Sequence, residues 1–220
     1  MSLDPPVTEE AAPHVPEDDD DDVVVLGWYQ RPINIVALVI AMALIGGMIG
    51  WLIADARSDD RGSDVDIGFL QDMRTHHEQA VEMAYTYLAL PDTDPGLRTV
   101  AGSILIGQNI DIGRMIQMLR DMGAPEAAET DQAMGWMGHS MPASQMPGMA
   151  TEAQLKQLAA SSGRDADELF VQLMTAHHRG GIEMANDAAT RASLEKVRSM
   201  AASMASAQQS DIVEMQQQLT

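Results

Sequence analysis

The chain repeats itself, and the repeat limits what it can fold into. Displacing the sequence by 101 residues lays Phe69 on Phe170, Met73 on Met174, His76 and His77 on His177 and His178, Glu82 on Glu183, and Met83-Ala84 on Met184-Ala185. A displacement of 100 lays Gln108, Asp111, Ile112, Met115 and Leu119 on Gln208, Asp211, Ile212, Met215 and Leu219. Apolar periodicity predicts four helices: about Asp66 to Leu90, Pro95 to Met122 (closed by Gly123 and Pro125), Arg164 to Ala189, and Ala192 to Leu219. Each copy is therefore a helical hairpin. One hairpin cannot bury its own apolar face, whereas two stacked about a pseudo-two-fold axis make a four-helix bundle. The predicted fold class is all-α, a four-helix bundle from a duplicated hairpin over residues 66–220.

The repeated residues share one face. Met73, His76, His77, Ala80, Met83 and Ala84 fall at offsets 0, 3, 4, 7, 10 and 11, a continuous inward stripe. The third helix repeats it with Met174, His177, His178, Gly181, Met184 and Ala185, and the second and fourth turn Gln108, Asp111, Gln208 and Asp211 inward. Ala80 and Gly181 leave room one turn from the histidines. Burial favours the neutral imidazole, which is the form that binds metals. Two readings follow. Either the histidines are metal ligands, or Gln108, Asp111, Gln208 and Asp211 close a hydrogen-bond network around them that fixes helix register. The same pair made twice, each time framed by methionine, favours ligands.

Methionine dominates what lies between the hairpins. Fifteen of the eighteen methionines follow residue 60, and with no cysteine in the chain any soft-metal chemistry falls to thioether and imidazole. Residues 123–150 are too rich in Gly, Pro and Met for a regular element; "TEAQLKQLAASSG" then reads as a short helix with Thr151 as its N-cap. Met134, Met137, His139, Met141, Met146 and Met149 form a donor set suited to Cu(I). Flexible methionines around Trp136 suit packing equally well, and the sequence leaves loop metal capture and loop packing level.

Ahead of the repeat the character changes. Residues 1–30 carry nine acids, including the run Asp18 to Asp22, and have no apolar period, so they are predicted to be a disordered tail. Ile33 to Ala54 is 22 residues without a charge, which at about 1.5 Å per residue crosses a hydrocarbon core of about 30 Å. Residues 31–56 thus read as a transmembrane anchor, with Trp28, Tyr29 and Trp51 at interfacial positions, and 57–65 as a linker. Ala54 to Ala56 resembles a cleavage site, but the acidic lead is wrong for a signal peptide, so an uncleaved anchor is expected. Gly46 and Gly50 have the small-residue spacing of close helix contacts, which fits a membrane-protein partner, a second copy, or ordinary membrane glycine. Arg57 and Arg61 against Arg31 lean toward a cytoplasmic C-terminus. A net charge of −20 argues against a nucleic-acid partner.

Enzyme chemistry finds little support. Glu-x-x-His is missing, so a di-iron carboxylate centre is disfavoured; His-Glu-x-x-His, phosphate loops and nucleophile elbows are missing too. The segments "FLQDMRTHHEQAVEMA", "FVQLMTAHHRGGIEMA", "MPGM" followed by "LKQLAASSGRDADELF", and the repeated "Q..DI..M...L" resemble the family catalogued as domain of unknown function 305, over about residues 64–219. That resemblance implies a ferritin-like, extracytoplasmic four-helix bundle, exported or membrane-anchored, with copper handling in some members. Carried over by position, it implies His76, His77, Met73, Met83, His177, His178, Met174 and Met184 as metal ligands, with copper the expected ion. It also favours a single-pass protein of the cell membrane with the bundle outside and the N-terminal tail in the cytoplasm, against the arginine count. The rival expectation is an accessory subunit of a membrane complex, its histidines serving only packing.

Overall fold

The structure is a computed structural model that describes residues 27–58 and 61–219. Of the 1–30 tail read above as disordered, residues 1–26 lie outside the described residues, whereas Trp28–Gln30 form a 3-10 turn. The chain divides into two compact units, Met1–Leu52 and Ile53–Thr220.

In the first unit a single 3-10 turn, Trp28–Gln30, precedes helix α1 (Pro32–Ser58), whose last turns belong to the second unit. Pro32 occupies the first helical position, where its missing N–H costs nothing. Asn34 Nδ2 donates to the Trp28 carbonyl at 2.8 Å and ties the turn to the helix. Pro32–Leu52 is long and apolar enough to cross a membrane, and its large side chains are exposed throughout, from Ile33 to Leu52.

The second unit holds α2 (Asp64–Leu88), α3 (Pro95–Asp121), α4 (Glu152–Ala159), α5 (Gly163–Arg191) and α6 (Glu195–Gln218). Helix α2 starts at Asp64, two residues before the sequence expectation, because Ser63 and Asp66 form a reciprocal capping box. Asp94 caps α3 through the Leu97 N–H with Pro95 following, and Thr151 caps α4 as expected. The neighbours around the bundle are α2 with α3, α3 with α6, α6 with α5, and α5 with α2.

Two buried carboxylates bind the hairpins to each other. Asp66, at the start of α2, accepts from Ser193 N, Ser193 Oγ and Leu194 N in the α5–α6 turn, at 3.1, 2.6 and 3.0 Å. Asp167, its repeat equivalent at the start of α5, accepts from Tyr87 Oη at 2.6 Å and Asp94 N at 3.1 Å beside the α2–α3 turn. Each hairpin thus caps the other, which sets α2 and α5 antiparallel. Burial raises the Asp66 pKa, but its hydrogen bonds to Ser193, Ser63 and Leu194 outweigh that and bring it down to about 2.

The core has two apolar layers. One contains Phe69, Met73, Met115, Leu119, Met184 and Met204; the other contains Met83, Tyr87, Ile104, Phe170, Met174 and Met215. The four histidines fall between them in sequence on both α2 and α5. The inter-hairpin loop joins the first layer through Met134, Trp136 and Met146. It is more ordered than its composition suggests: β1 (Gln132–Ala133) pairs antiparallel with β2 (Met141–Pro142), Ala133 opposite Met141. Asp72, buried on α2, accepts from Met134 N at 2.7 Å and Trp136 Nε1 at 2.8 Å. That anchor holds Met134 in the left-handed region, φ 68°, which a side chain of this kind adopts only when its surroundings enforce it.

Candidate metal centre

Where α2 and α5 cross, His76 and His177 stack with ring centroids 3.7 Å apart, and His178 lies 6.3 Å from His177. All four imidazoles are at most 1% exposed. The structure therefore brings together the two pairs that the repeat placed on facing stripes. Met73, Met83, Met174 and Met184 are fully buried; Met73 and Met184 share one apolar layer, Met83 and Met174 the other. The centre thus has one methionine from each helix on either side.

Two histidines are oriented and two are not. His76 Nε2 donates to the Pro147 carbonyl at 3.1 Å, and His178 Nε2 donates to Asp211 Oδ2 at 2.9 Å. These bonds place the proton on Nε2 and leave the Nδ1 lone pair of each ring without a partner. Neither nitrogen of His77 or of His177 has a hydrogen-bond partner. His77 Nε2 stands 3.9 Å from Asp111, whose other oxygen meets Arg114 at 3.5 Å.

The polar network of the alternative reading is incomplete. Gln108 Oε1 and both polar side-chain atoms of Gln208 are buried without partners. Asp111 and Asp211 sit at the edge, about a fifth exposed, rather than in the core. Together with His77, these four residues line a cavity of about 100 Å³ between α3 and α6. Gly181 matters here, because a Cβ at that position would come within 2.3 Å of Gln208 Oε1; the glycine admits the amide.

Burial keeps the imidazoles neutral. The His76 pKa is pushed down to about 4 by burial, against the pull of the Pro147 carbonyl and with repulsion from His178. Those of His77 and His177 fall well below the ordinary value by burial first and then by repulsion from neighbouring histidines. The Met73 and His76 carbonyls oppose this weakly, standing outside hydrogen-bond geometry. Burial raises the Asp111 carboxyl, with Arg114 pulling it back. Neutral imidazoles with free lone pairs, buried beside thioethers, make a donor set for a soft or borderline transition metal. Among the described residues no three His, Asp or Glu side chains already form a group that would hold an ion.

On the opposite face the loop seals the centre. Gln79 clamps Ala150 through both amide atoms, donating to its carbonyl at 2.9 Å and accepting from its N–H at 2.7 Å. The segment Pro147-Gly148 passes so close that a Cβ on Gly180 would lie 1.9 Å from the Pro147 oxygen, and one on Gly148 (φ 81°) 2.3 Å from the Ala176 oxygen. Of the loop residues singled out from sequence, Met134 and Met146 are buried, Met137, Met141 and Met149 half-buried, and His139 exposed. The sequence leaves loop packing level with loop metal capture, and it does not place the seat of the loop on α2 and α5. The substitution of Gly180 for Gln79 across the repeat was the available signal for the loop seat, and the shared register of Asp66 and Asp167 for the cross-caps. Nothing in the sequence marked Asp72 or the Pro147 carbonyl.

A family profile described as domain of unknown function, DUF305, matches residues 66–219. A DUF305 protein from Streptomyces coelicolor, provisionally described as secreted, aligns at 38% identity over 69% of this chain and 89% of its own, with a TM-score of 0.63. A DUF305 fragment from Deinococcus radiodurans aligns at 25% identity over 72% and 97%, TM-score 0.61. The protein CopM in its Cu(I)-bound form aligns at 23% identity over 69% and 93%, TM-score 0.51, a likeness that concerns the fold. No curated protein matches.

Proposed function

The chain belongs to the DUF305 family, and from that starting point we propose that its bundle binds a transition-metal ion, copper foremost, at the paired histidines. The observation that carries this is the set of unpartnered, fully buried nitrogens: Nδ1 of His76 and His178 and both nitrogens of His77 and His177. An unmet buried polar atom costs about 1–3 kcal/mol. Four imidazoles kept in that state in one layer are better explained as a site to be filled than as packing. Along their own helices Met73 and Met174 lie one turn from the histidines, and Met83 and Met184 about a turn further. The Cu(I)-, Cu(II)- and silver-bound forms of the structurally similar CopM support the choice of metal class. When bound, the ion would be held for buffering or transfer.

We further propose that α1 anchors the protein in the cell membrane, with the bundle outside. What supports this is the length of α1 and its large apolar side chains, exposed along the whole span. A reporter fused to the C-terminus that is active only in the cytoplasm would contradict this placement.

The test of metal binding is competition of the full chain, in detergent micelles, against a coloured Cu(I) chelator. Wild type should withdraw copper stoichiometrically, and the His77→Gln, His177→Gln variant should lose most of that capacity. Equal, weak binding by both would return the histidines to a packing role.

A further inference from the structure

The histidine layer is closed on one side and open on the other. Against α2 and α5 lies the Met146–Ala150 strap, clamped by Gln79 and seated on Gly180, with the Pro147 oxygen taking up one His76 nitrogen. Between α3 and α6 lies the cavity of about 100 Å³, with His77 in its wall. The residues at its rim are small and exposed: Ser103 and Gly107 on α3, Ala207 on α6. No atom would lie within 4 Å of a Cβ on Gly107. Deeper in sit Gln108 and Gln208, 6% and 2% exposed, both with unpartnered amide atoms. Asp111 and Asp211 flank them.

Resting on the proposed metal-binding reading, we infer that this α3–α6 cavity is the cation's way in: Asp111 and Asp211 draw it to the rim, the Gln108 and Gln208 carbonyl oxygens take it from water, and His77 is the first imidazole it meets. The chemistry is graded. Carboxylate and amide oxygens hold a partly hydrated cation loosely, while imidazole and thioether deeper in hold a soft one tightly. The two copies divide the work. Asp211 is committed to His178 at 2.9 Å, whereas Asp111 meets Arg114 at 3.5 Å and stops 3.9 Å short of His77, which leaves His77 free to accept the ion. The Met-rich loop, on this account, is the seal and not the inlet.

The experiment is stopped-flow transfer of Cu(I) from a coloured chelator to the full chain in micelles, with equilibrium competition on the same samples. Gly107→Leu with Ala207→Leu plugs the rim at two exposed positions; an unchanged circular-dichroism melting profile confirms the fold. The plugged variant should load several-fold more slowly at unchanged equilibrium affinity. Asp111→Asn should also slow loading, by about tenfold at low ionic strength and less in salt. Met137→Leu, His139→Ala, Met141→Leu in the loop should load at the wild-type rate. Wild-type loading in the plugged variant, or slowed loading in the loop variant, overturns the route while leaving copper binding intact. If the wild type takes up no copper at all, the binding site falls and the route with it.

Discussion

The two copies of the hairpin are alike where they build the bundle and different where they meet the loop and the solvent. Phe69 and Phe170, Asp66 and Asp167, and the two His-His pairs keep their register in the core, and each aspartate caps the turn of the other hairpin. One loop, however, has to sit against both copies. The first offers Gln79, which grips Ala150 with both amide atoms; the second offers Gly180, a notch that admits Pro147. One turn of α3 and α6 differs in the same manner. Asp111 meets Arg114 and stops 3.9 Å short of His77, while Glu214 stands at the position equivalent to Arg114 and Asp211 bonds His178. Duplication gives a symmetric layer of four imidazoles, and single substitutions in each copy then give it a closed face and an open one.

Acid should break both halves of the layer together, and this is the largest expected effect. His76, with a pKa near 4, and His77 and His177, lower than ordinary, bind protons more tightly when unfolded. Stability from these residues is therefore complete above the unfolded histidine value, about 6.5, and is lost as pH falls from there toward 4. Each contributes a slope of about 1.4 kcal/mol per pH unit. Asp72 and Asp111, raised by burial, oppose the loss at the acid end. Denaturant melts of the metal-free protein between pH 7.5 and 4.5 should show uptake of more than one proton on unfolding; a flat profile would mean that the imidazoles are not buried.

Next in size is the cross-capping. Asp66→Ala strips partners from Ser193, Leu194 and Ser63 and should cost on the order of 3 kcal/mol, whereas Asp167→Ala, with two bonds to lose, should cost roughly half as much. Equal costs in chemical denaturation would erase that difference between the copies. Gly180→Ala drives a Cβ into the Pro147 backbone and should cost about 2 kcal/mol, with the loop displaced and amide exchange at Gly148 to Ala150 accelerated. Gly181→Ala meets only the end of the Gln208 side chain and should cost less than about 1 kcal/mol. If the two glycines prove equally sensitive, the loop is not seated as described. The smallest change is Arg114→Gln, an exposed pair worth about 0–1 kcal/mol. It should leave stability untouched while letting Asp111 reach His77, read as a shift of the His77 Nε2 nitrogen resonance toward that of His178.

The bundle was legible because a 101-residue repeat and a 3.6-residue period act on long segments: all four helices lie within three residues of the expected ends, and the histidine stripes face each other. Ser63 moved one boundary, through a cap that apolar periodicity does not register. The loop was not legible. Its order comes from Asp72, 62 residues away in sequence from the Met134 N–H it holds, and no local pattern encodes that contact. The polar network that is the alternative reading around the histidines forms only at the His178–Asp211 bond, for a related reason. Inward spacing placed Asp111 and Asp211 on the right face, but spacing says nothing of depth, and both carboxylates stop at the solvent edge.

Whether that half-closed layer is a metal site is tested most directly by X-ray absorption at the copper edge on the full chain loaded with one equivalent of Cu(I). Imidazole nitrogen and thioether sulfur should surround the ion together, with the imidazole contribution lost in His77→Gln, His177→Gln. An ion surrounded by thioether alone, unchanged in that variant, would place copper elsewhere and contradict the claim.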